Sequence, residues 1–568
     1  MAELPSIVPA HLRRFVVEQD YAEYNAIDQA VWRFVLLHTR ARLVETAHPA
    51  YREGLAATGI SVERIPSIAE MNEKLGRFGW GAVCVDGFIP PRAFQEFQAR
   101  GLLPIAADVR TREHLVYTPA PDIIHEAAGH APILPEPAFA AYLRRIGEIG
   151  KRAFTLPEDD GVFQALFSLS EVKEDLTASP ERVAEAEAGL TRAIGAAAIV
   201  SEATWLSRLY WWTAEYGLFG TPRQYQLYGA GLISSLGESH SCHDPAVKKL
   251  PLDDSCVELG YDVTRRQPQL FVTPSFEALH EVLERVSKRL AVAIGGAVAI
   301  DRAIRSRELA SLRFSSGAWV IGVLAEAGPR PAEPAWLRLT GPVAFAWDGR
   351  LVPELHDDVR ADEQWVLTGP LAGGGELVRA SEAVVDGFAQ GPSGRHVVSF
   401  ASGASVAGRL RRSVRDRAGR LLRLDFADAQ LTLPGRAAVG LPAYALLATG
   451  DFLTAEAGAV DPAYHPDTAF SRVRVPKPRA LPDRELALLA LYRSLAAGTA
   501  DLASLHAALE RDHPGEWLLR WNLLERALRG SEFPIAGALR RELERLEVHY
   551  EHRQPIASGL RSLAAEGA

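Results

Sequence analysis

Residues 121–130 read Pro121-Asp122-Ile123-Ile124-His125-Glu126-Ala127-Ala128-Gly129-His130. Pro121 suits the first turn of a helix, where its missing N–H costs nothing, and Asp122 favours the positive helix end. Two histidines five apart then leave one short helix about 140° apart around its axis. They share only a broad side of it, and Ala127, Ala128 and Gly129 keep that side uncrowded. A carboxylate is available downstream in Tyr210-Trp211-Trp212-Thr213-Ala214-Glu215-Tyr216-Gly217. If that stretch is helical, Trp211, Glu215 and Leu218 fall on one face by i, i+4, i+7 spacing. Glu215 would then emerge from an apolar, aromatic strip, where a lone carboxylate is costly without a cation or a donor. Two neutral imidazoles and one carboxylate on one side of an ion form the set that suits non-haem Fe(II), with the opposite side open to oxygen and substrate.

Other readings of the same residues stay open at this point. The order is not His-Glu-x-x-His, whose histidines sit four apart with glutamate as base on zinc, so a zinc hydrolase is disfavoured. Spacing alone also leaves a capping or core role for the histidines and a salt-bridged Glu215.

At 568 residues the chain exceeds a single ordinary core, and domains of roughly 100–200 residues suggest two or three units. With 48% hydrophobic and 23% charged residues it is globular, and a net charge of −9 argues against a nucleic-acid or acidic-membrane partner. Cys84, Cys242 and Cys256 are too few and too scattered for a disulfide framework and point to free thiols in a reducing compartment. No basic-then-apolar leader opens the sequence and no apolar run reaches the ~18 residues of a membrane span, so a cytoplasmic location is expected.

Organisation follows the texture of the chain. Mainly helical periodicity covers Tyr21 to Leu290, including Ala30 to Leu37 and Phe276 to Leu290. From about Phe314 short runs of Val, Leu and Phe between turn residues read as β structure. Val343-Ala344-Phe345-Ala346-Trp347 followed by Asp348-Gly349 predicts a hairpin. Leu422, Leu424 and Phe426 alternate as in a strand. Gly373-Gly374-Gly375 is a loop rather than a phosphate cradle, since no Gly-Lys-Ser/Thr follows. Pro476 and Pro478 make residues 472–479 an extended linker, and helices resume after Asp483. The expected architecture is multidomain: a mainly α (α+β) unit over 1–292, a β-rich unit over 293–475 and a helical region over 476–568.

Several ordered motifs together resemble the aromatic amino acid hydroxylases. They are Arg110, Val116-Tyr117-Thr118-Pro119-Ala120-Pro121-Asp122, the His125-Glu126-x-x-Gly129-His130 run, Tyr210 to Leu218, and Tyr228-Gly229-Ala230-Gly231-Leu232-Ile233-Ser234-Ser235-x-Gly237-Glu238. The resemblance covers roughly Tyr21 to Leu290 and implies that family's catalytic fold. It implies Fe(II), tetrahydrobiopterin or a related tetrahydropterin, and O2 as co-substrate, acting on the ring of a free aromatic amino acid. By resemblance His125, His130 and Glu215 are the metal ligands. Arg110 takes the position that clamps the substrate carboxylate, a task suited to a planar, bidentate guanidinium. Thr118 and Ser234 match positions that help hold that carboxylate or orient the first histidine, while Pro121, Trp211 and Val263 match the ring pocket. Gly87, Ile89 and Phe94 resemble the pterin loop, more loosely.

Departures from the family pattern bear on substrate. Tyr216 stands where phenylalanine is usual, Ala214 replaces a larger apolar residue, and Ala127-Ala128 is small beside the ligands. Trp211 and the uncharged Val263 favour phenylalanine, giving L-phenylalanine to L-tyrosine as the first reading. The alternatives are the same chemistry on tryptophan or another aromatic, and a non-catalytic metal-binding sensor or scaffold. About twenty residues precede the first helix, so no N-terminal regulatory unit is expected. The C-terminal half matches nothing nameable and leaves room for a homo-oligomer formed through it. His549 and His552 read there as a solvated pair.

Overall fold

A computed structural model describes residues 8–116, 118, 121–175, 178–263, 266–352, 355, 362–388, 395–459, 483–547 and 553–565. The expected linker at 472–479 and the boundary at 475/476 lie outside these residues, as do Tyr117, Pro119, Ala120, His549 and His552.

The first long helix, α1 (Ala26–Thr46), starts at a reciprocal cap. The Asn25 side chain accepts from Asp28 N, and the Asp28 carboxylate accepts from Asn25 N. After two shorter helices, Pro49–Thr58 and Ile68–Leu75, come strand β1 (Gly81–Val85), helix α2 (Pro91–Ala99) and strand β2 (Leu102–Ala106), with β1 and β2 parallel and in register from Gly81 opposite Leu102. Parallel strands need such a crossover. It leaves two loops at the carboxyl ends of the strands, where open α/β units place ligands. One loop carries Gly87 and Ile89; the other carries Arg110.

The two stretches that carry His125, His130 and Glu215 are not ordinary α-helices. The segment α3 (Ile124–His130) is a π-helix, and α4 (Glu202–Tyr210) runs into a π-helical turn at Trp211–Glu215. Such bulges are rare and collect at functional sites. The helical face expected to include Leu218 does not form, because Leu218 opens strand β3 (Leu218–Thr221). Strand β4 (Gln224–Leu227), helix α5 (Ala230–Ser234), strand β5 (Lys248–Pro251) and strand β6 (Gln269–Thr273) follow, and the four strands are ordered β4-β3-β6-β5.

The β texture begins at β7 (Leu309–Phe314), a little before the expected Phe314. Strands β8 (Ala318–Gly328), β9 (Trp336–Trp347), β10 (Arg350–Leu351) and β11 (Glu363–Leu367) complete most of one sheet. Asp348 and Gly349 both take positive φ, 48° and 74°, between Trp347 and its partner Arg350, as a two-residue hairpin turn requires. Strands β12 (His396–Ser399), β13 (Ser405–Arg415), β14 (Leu421–Thr432) and β15 (Val439–Leu447) form a four-stranded sheet, and β16 (Phe452–Ala457) returns to pair with β7. Leu422, Leu424, Phe426 and Leu431 lie on β14 and are buried between these sheets. Ala291, just before the expected boundary at 293, already packs into this second core together with Ala299 and Ile300.

Helices α6 (Asp483–Ala497), α7 (Leu502–Asp512), α8 (Trp517–Arg529) and α9 (Phe533–Leu546) end the chain with a further helix at Arg553–Ala565. Their apolar faces join the core of the N-terminal half. The Phe34 ring on α1 meets Trp517 and Trp521 edge-on at 5.1 and 4.9 Å, and Trp521 is fully buried with its indole N–H donating to Gly559 O. All three cysteines are free and buried. Among the described residues, no helix is long and apolar enough to cross a membrane.

Candidate active site

The π-helix corrects the expected ligand geometry. With α-helical pitch His125 and His130 would stand about 140° apart, but i→i+5 bonding brings residues five apart onto one face. Pro121 is not in the first turn as expected; it precedes Asp122, which caps the segment instead. Asp122 Oδ1 accepts from His125 N at 2.9 Å and Asp122 O accepts from Glu126 N. Glu215 arrives from its own π-helical turn.

Donor atoms of three residues converge. His125 Nε2 and His130 Nε2 are 3.1 Å apart, His130 Nε2 and Glu215 Oε1 3.0 Å, and His125 Nε2 and Glu215 Oε2 3.2 Å. For metal–ligand bonds of about 2.1 Å, adjacent corners of an octahedron lie about 3.0 Å apart. The histidine nitrogens lie about one octahedral edge from each other and each from a different Glu215 oxygen, a clustering that suits the two-histidine, one-carboxylate arrangement of Fe(II). Burial pushes the Glu215 carboxyl up, yet the His130 and His125 rings beside it more than offset this and hold it well below the usual carboxylate range. It is an anion ready to ligate. A second group, His506, Glu510 and Glu542, is already closed by a cation: the buried Arg520 guanidinium pairs with both carboxylates.

Ser234 sets the proton on the first histidine. Its hydroxyl donates to Ala230 O at 2.7 Å, so at 3.0 Å it accepts from Nδ1–H of His125, which leaves the Nε2 lone pair facing the other ligands. The same residue reaches Arg110, because Ser234 O accepts from Arg110 Nη1 at 3.0 Å. Asp122 binds Arg110 in a fork, Nε to Oδ2 at 2.7 Å and Nη2 to Oδ1 at 2.8 Å. Burial raises the Asp122 carboxyl, but the Arg110 guanidinium prevails and keeps it ionised. Of the five guanidinium N–H groups, these three bonds leave one on Nη1 and one on Nη2. That pair matches a carboxylate.

These groups line a cavity of about 290 Å³. Of the twelve residues singled out from the sequence, eleven line it: Gly87, Ile89, Phe94, Arg110, Thr118, Pro121, His125, Trp211, Glu215, Ser234 and Val263. His130 is buried behind, with its Nδ1 unpartnered. Phe94 stands edge-on to Tyr210 at 5.5 Å. Trp211 stacks on Tyr261 at 4.2 Å and 9° and tilts against Tyr216 at 4.6 Å, forming an aromatic wall.

Sequence reading missed three contributors. Glu126 lies inside the histidine motif and lines the cavity, and burial pushes its carboxyl up to about 8. Tyr261 carries no motif and is found only through its stacking. Phe163, on the helix Pro157–Glu174, lines the cavity from a segment without any distinguishing pattern.

Comparison with known proteins bears on this geometry. The family model for biopterin-dependent aromatic amino acid hydroxylase matches residues 17–155 and 182–295. A phenylalanine-4-hydroxylase of Ralstonia nicotianae is 30% identical over 270 residues, 47% of this chain and 72% of the relative. The chain belongs to the biopterin-dependent aromatic amino acid hydroxylase family. A Mesorhizobium japonicum phenylalanine-4-hydroxylase is 29% identical over 274 residues, covering 48% of this hydroxylase and 83% of the relative. A crystal structure of Chromobacterium violaceum phenylalanine hydroxylase with bound iron(III) and 7,8-dihydrobiopterin is similar at 27% identity and a TM-score of 0.39, covering 50% of this chain and 92% of that one. This hydroxylase is thus a phenylalanine 4-monooxygenase-like enzyme with a large C-terminal extension.

Proposed function

We propose that this hydroxylase converts L-phenylalanine to L-tyrosine, using Fe(II) held by His125, His130 and Glu215, a tetrahydropterin and O2. The observation that carries the reading is the convergence of two histidine nitrogens and the Glu215 carboxylate with the His125 proton directed away from them. Bound Fe(II) and reduced pterin supply the electrons for oxygen activation. The chain's own groups bind and orient.

The amino acid is held at its carboxylate by the two remaining N–H groups of Arg110, which Asp122 and Ser234 O hold in plane. Its ring lies against Pro121, Trp211 and Val263, whose surfaces carry no charge and accept an unsubstituted phenyl group. The loop after β1, with Gly87 and Ile89, and the Phe94 ring form the pterin side. Because Arg110 and His125 share both Asp122 and Ser234, the carboxylate anchor and the metal face are fixed in one frame. This is the positioning that lets binding energy lower the barrier.

The test is product analysis with Fe(II), tetrahydrobiopterin and O2, offering L-phenylalanine, L-tyrosine and L-tryptophan separately. Tyrosine formed in step with pterin oxidation is expected. Hydroxytryptophan or dihydroxyphenylalanine as the main product would change the substrate. No product and no bound iron would refute the reading.

A further inference from the structure

The loop that carries Arg110 is held from two sides, and the second holder is the C-terminal extension. From inside, Arg110 is fixed by Asp122 and Ser234 O. Two residues later Arg112 turns outward and forks onto Glu485 of α6, Nη1 to Oε2 at 2.9 Å and Nη2 to Oε1 at 2.5 Å. Arg112 Nε lies 3.0 Å from Glu113 and 3.4 Å from Glu516, the residue that caps α8. Glu516 is itself held, since Tyr492 of α6 donates its hydroxyl proton to Oε1 at 2.9 Å and Leu519 N donates to the same carboxylate. The Arg112 side chain is only 16% exposed and that of Glu516 9%. Partly buried, bidentate charged pairs are the kind that hold geometry.

Helix α8 also docks on α1. Arg33 of α1 forks onto Glu525, with Nη2 2.6 Å from Oε1, while Phe34 is packed against Trp517 and Trp521. In turn α1 contacts α5, which carries Ser234, and α3, which carries the histidines. The C-terminal helices therefore hold both the Arg110 loop and α1, the helix packed against α5, whose Ser234 O accepts from Arg110.

We infer that the C-terminal helices are a positioning element for the substrate carboxylate, acting through Arg112 as a positioning residue on the Arg110 loop. This rests on the reading of Arg110 as the carboxylate anchor. Loosening the fork frees the loop to swing and weakens amino acid binding; among the described residues no hydrogen bond joins the metal ligands to the C-terminal helices, and the pterin side meets the extension elsewhere, where Arg92 pairs with Glu308. The effect is selective for one substrate.

The experiment uses the full-length iron-loaded enzyme with Arg112→Gln, the milder Glu485→Gln, the charge exchange Arg112→Glu with Glu485→Arg, and Arg110→Lys as reference. Kinetics give KM for L-phenylalanine and for tetrahydrobiopterin; calorimetry gives the L-phenylalanine Kd; iron content and Tm are recorded in parallel. A rise of about fivefold or more in amino acid KM and Kd is expected for Arg112→Gln and Glu485→Gln. Pterin KM and iron content should stay at wild-type values, and the exchange should recover most of the loss. Arg112→Gln and Glu485→Gln with wild-type amino acid affinity, beside a weakened Arg110→Lys, would overturn the coupling alone. A rise shared equally by pterin KM with lost iron and lowered Tm would also overturn it, as general loosening. Wild-type affinity in Arg110→Lys would overturn the anchor reading and the coupling with it.

Discussion

Replacing Ser234 by alanine isolates what one hydroxyl does for the metal face. The Oγ accepts from His125 Nδ1–H at 3.0 Å while donating to Ala230 O. Without it the imidazole has two choices. It can keep the Nδ1 proton and leave a donor unpaired in a nearly buried position, at a cost of about 1–3 kcal/mol. Or it can move the proton to Nε2, where the lone pair is needed. Either way Fe(II) affinity falls, by about 10- to 100-fold as for other partners of metal-bound histidines, or about 1.4–2.7 kcal/mol. The backbone carbonyl of Ser234 still accepts from Arg110, so the amino acid anchor should survive. Competition against a chromophoric Fe(II) chelator measures the affinity, and a thermal melt of the metal-free protein checks the fold. A Ser234→Ala protein with wild-type stability and Fe(II) affinity within twofold of wild type would refute the assignment of this hydroxyl.

Further outcomes follow from single features. Alanine at His125, His130 or Glu215 should remove bound iron and turnover while circular dichroism stays unchanged; iron retained by all three variants would exclude the site. A Cβ at Gly229 would run into the Glu215 carbonyl, so Gly229→Ala should cost about 1–3 kcal/mol of stability in urea melts by overpacking and release metal as the Glu215 turn shifts. Burial raises the Glu238 carboxyl from 4.5 to about 7, so the stability tied to its protonated form is fully present below pH 4.5 and lost as pH rises through about 7. Glu238→Gln should flatten that part of the pH–stability curve, and parallel curves for both proteins would disprove it. Burial pushes the thiols of Cys84, Cys242 and Cys256 up to about 12, so a thiol reagent at pH 8 should find none in the native protein and three after guanidinium denaturation.

Chemistry was legible in the residues. Two histidines and a glutamate in aromatic, small-residue surroundings carry donor types that only a few metals suit, and eleven of the twelve chosen positions do line one cavity. The hairpin at Asp348-Gly349 was equally readable, since both positions need positive φ and few residue pairs accept it. Geometry was not legible. Whether five-residue spacing opens or closes a ligand pair depends on helix type, and the change to π-helix at Ile124–His130 has no signature in residue periodicity. Tyr261 and Phe163 escaped for a related reason, being ordinary aromatics until the fold turns them toward the site.

By itself, then, the sequence determined which atoms were available: imidazole nitrogens, a carboxylate, a guanidinium and alternating apolar strands. Tertiary structure decided how they meet. Glu215 reaches His130 across 85 residues, and Arg33 reaches Glu525 across 492, distances over which local periodicity carries no information. Local pattern fixes which face of an element is apolar; which other face it covers is settled only when all of them compete for burial at once.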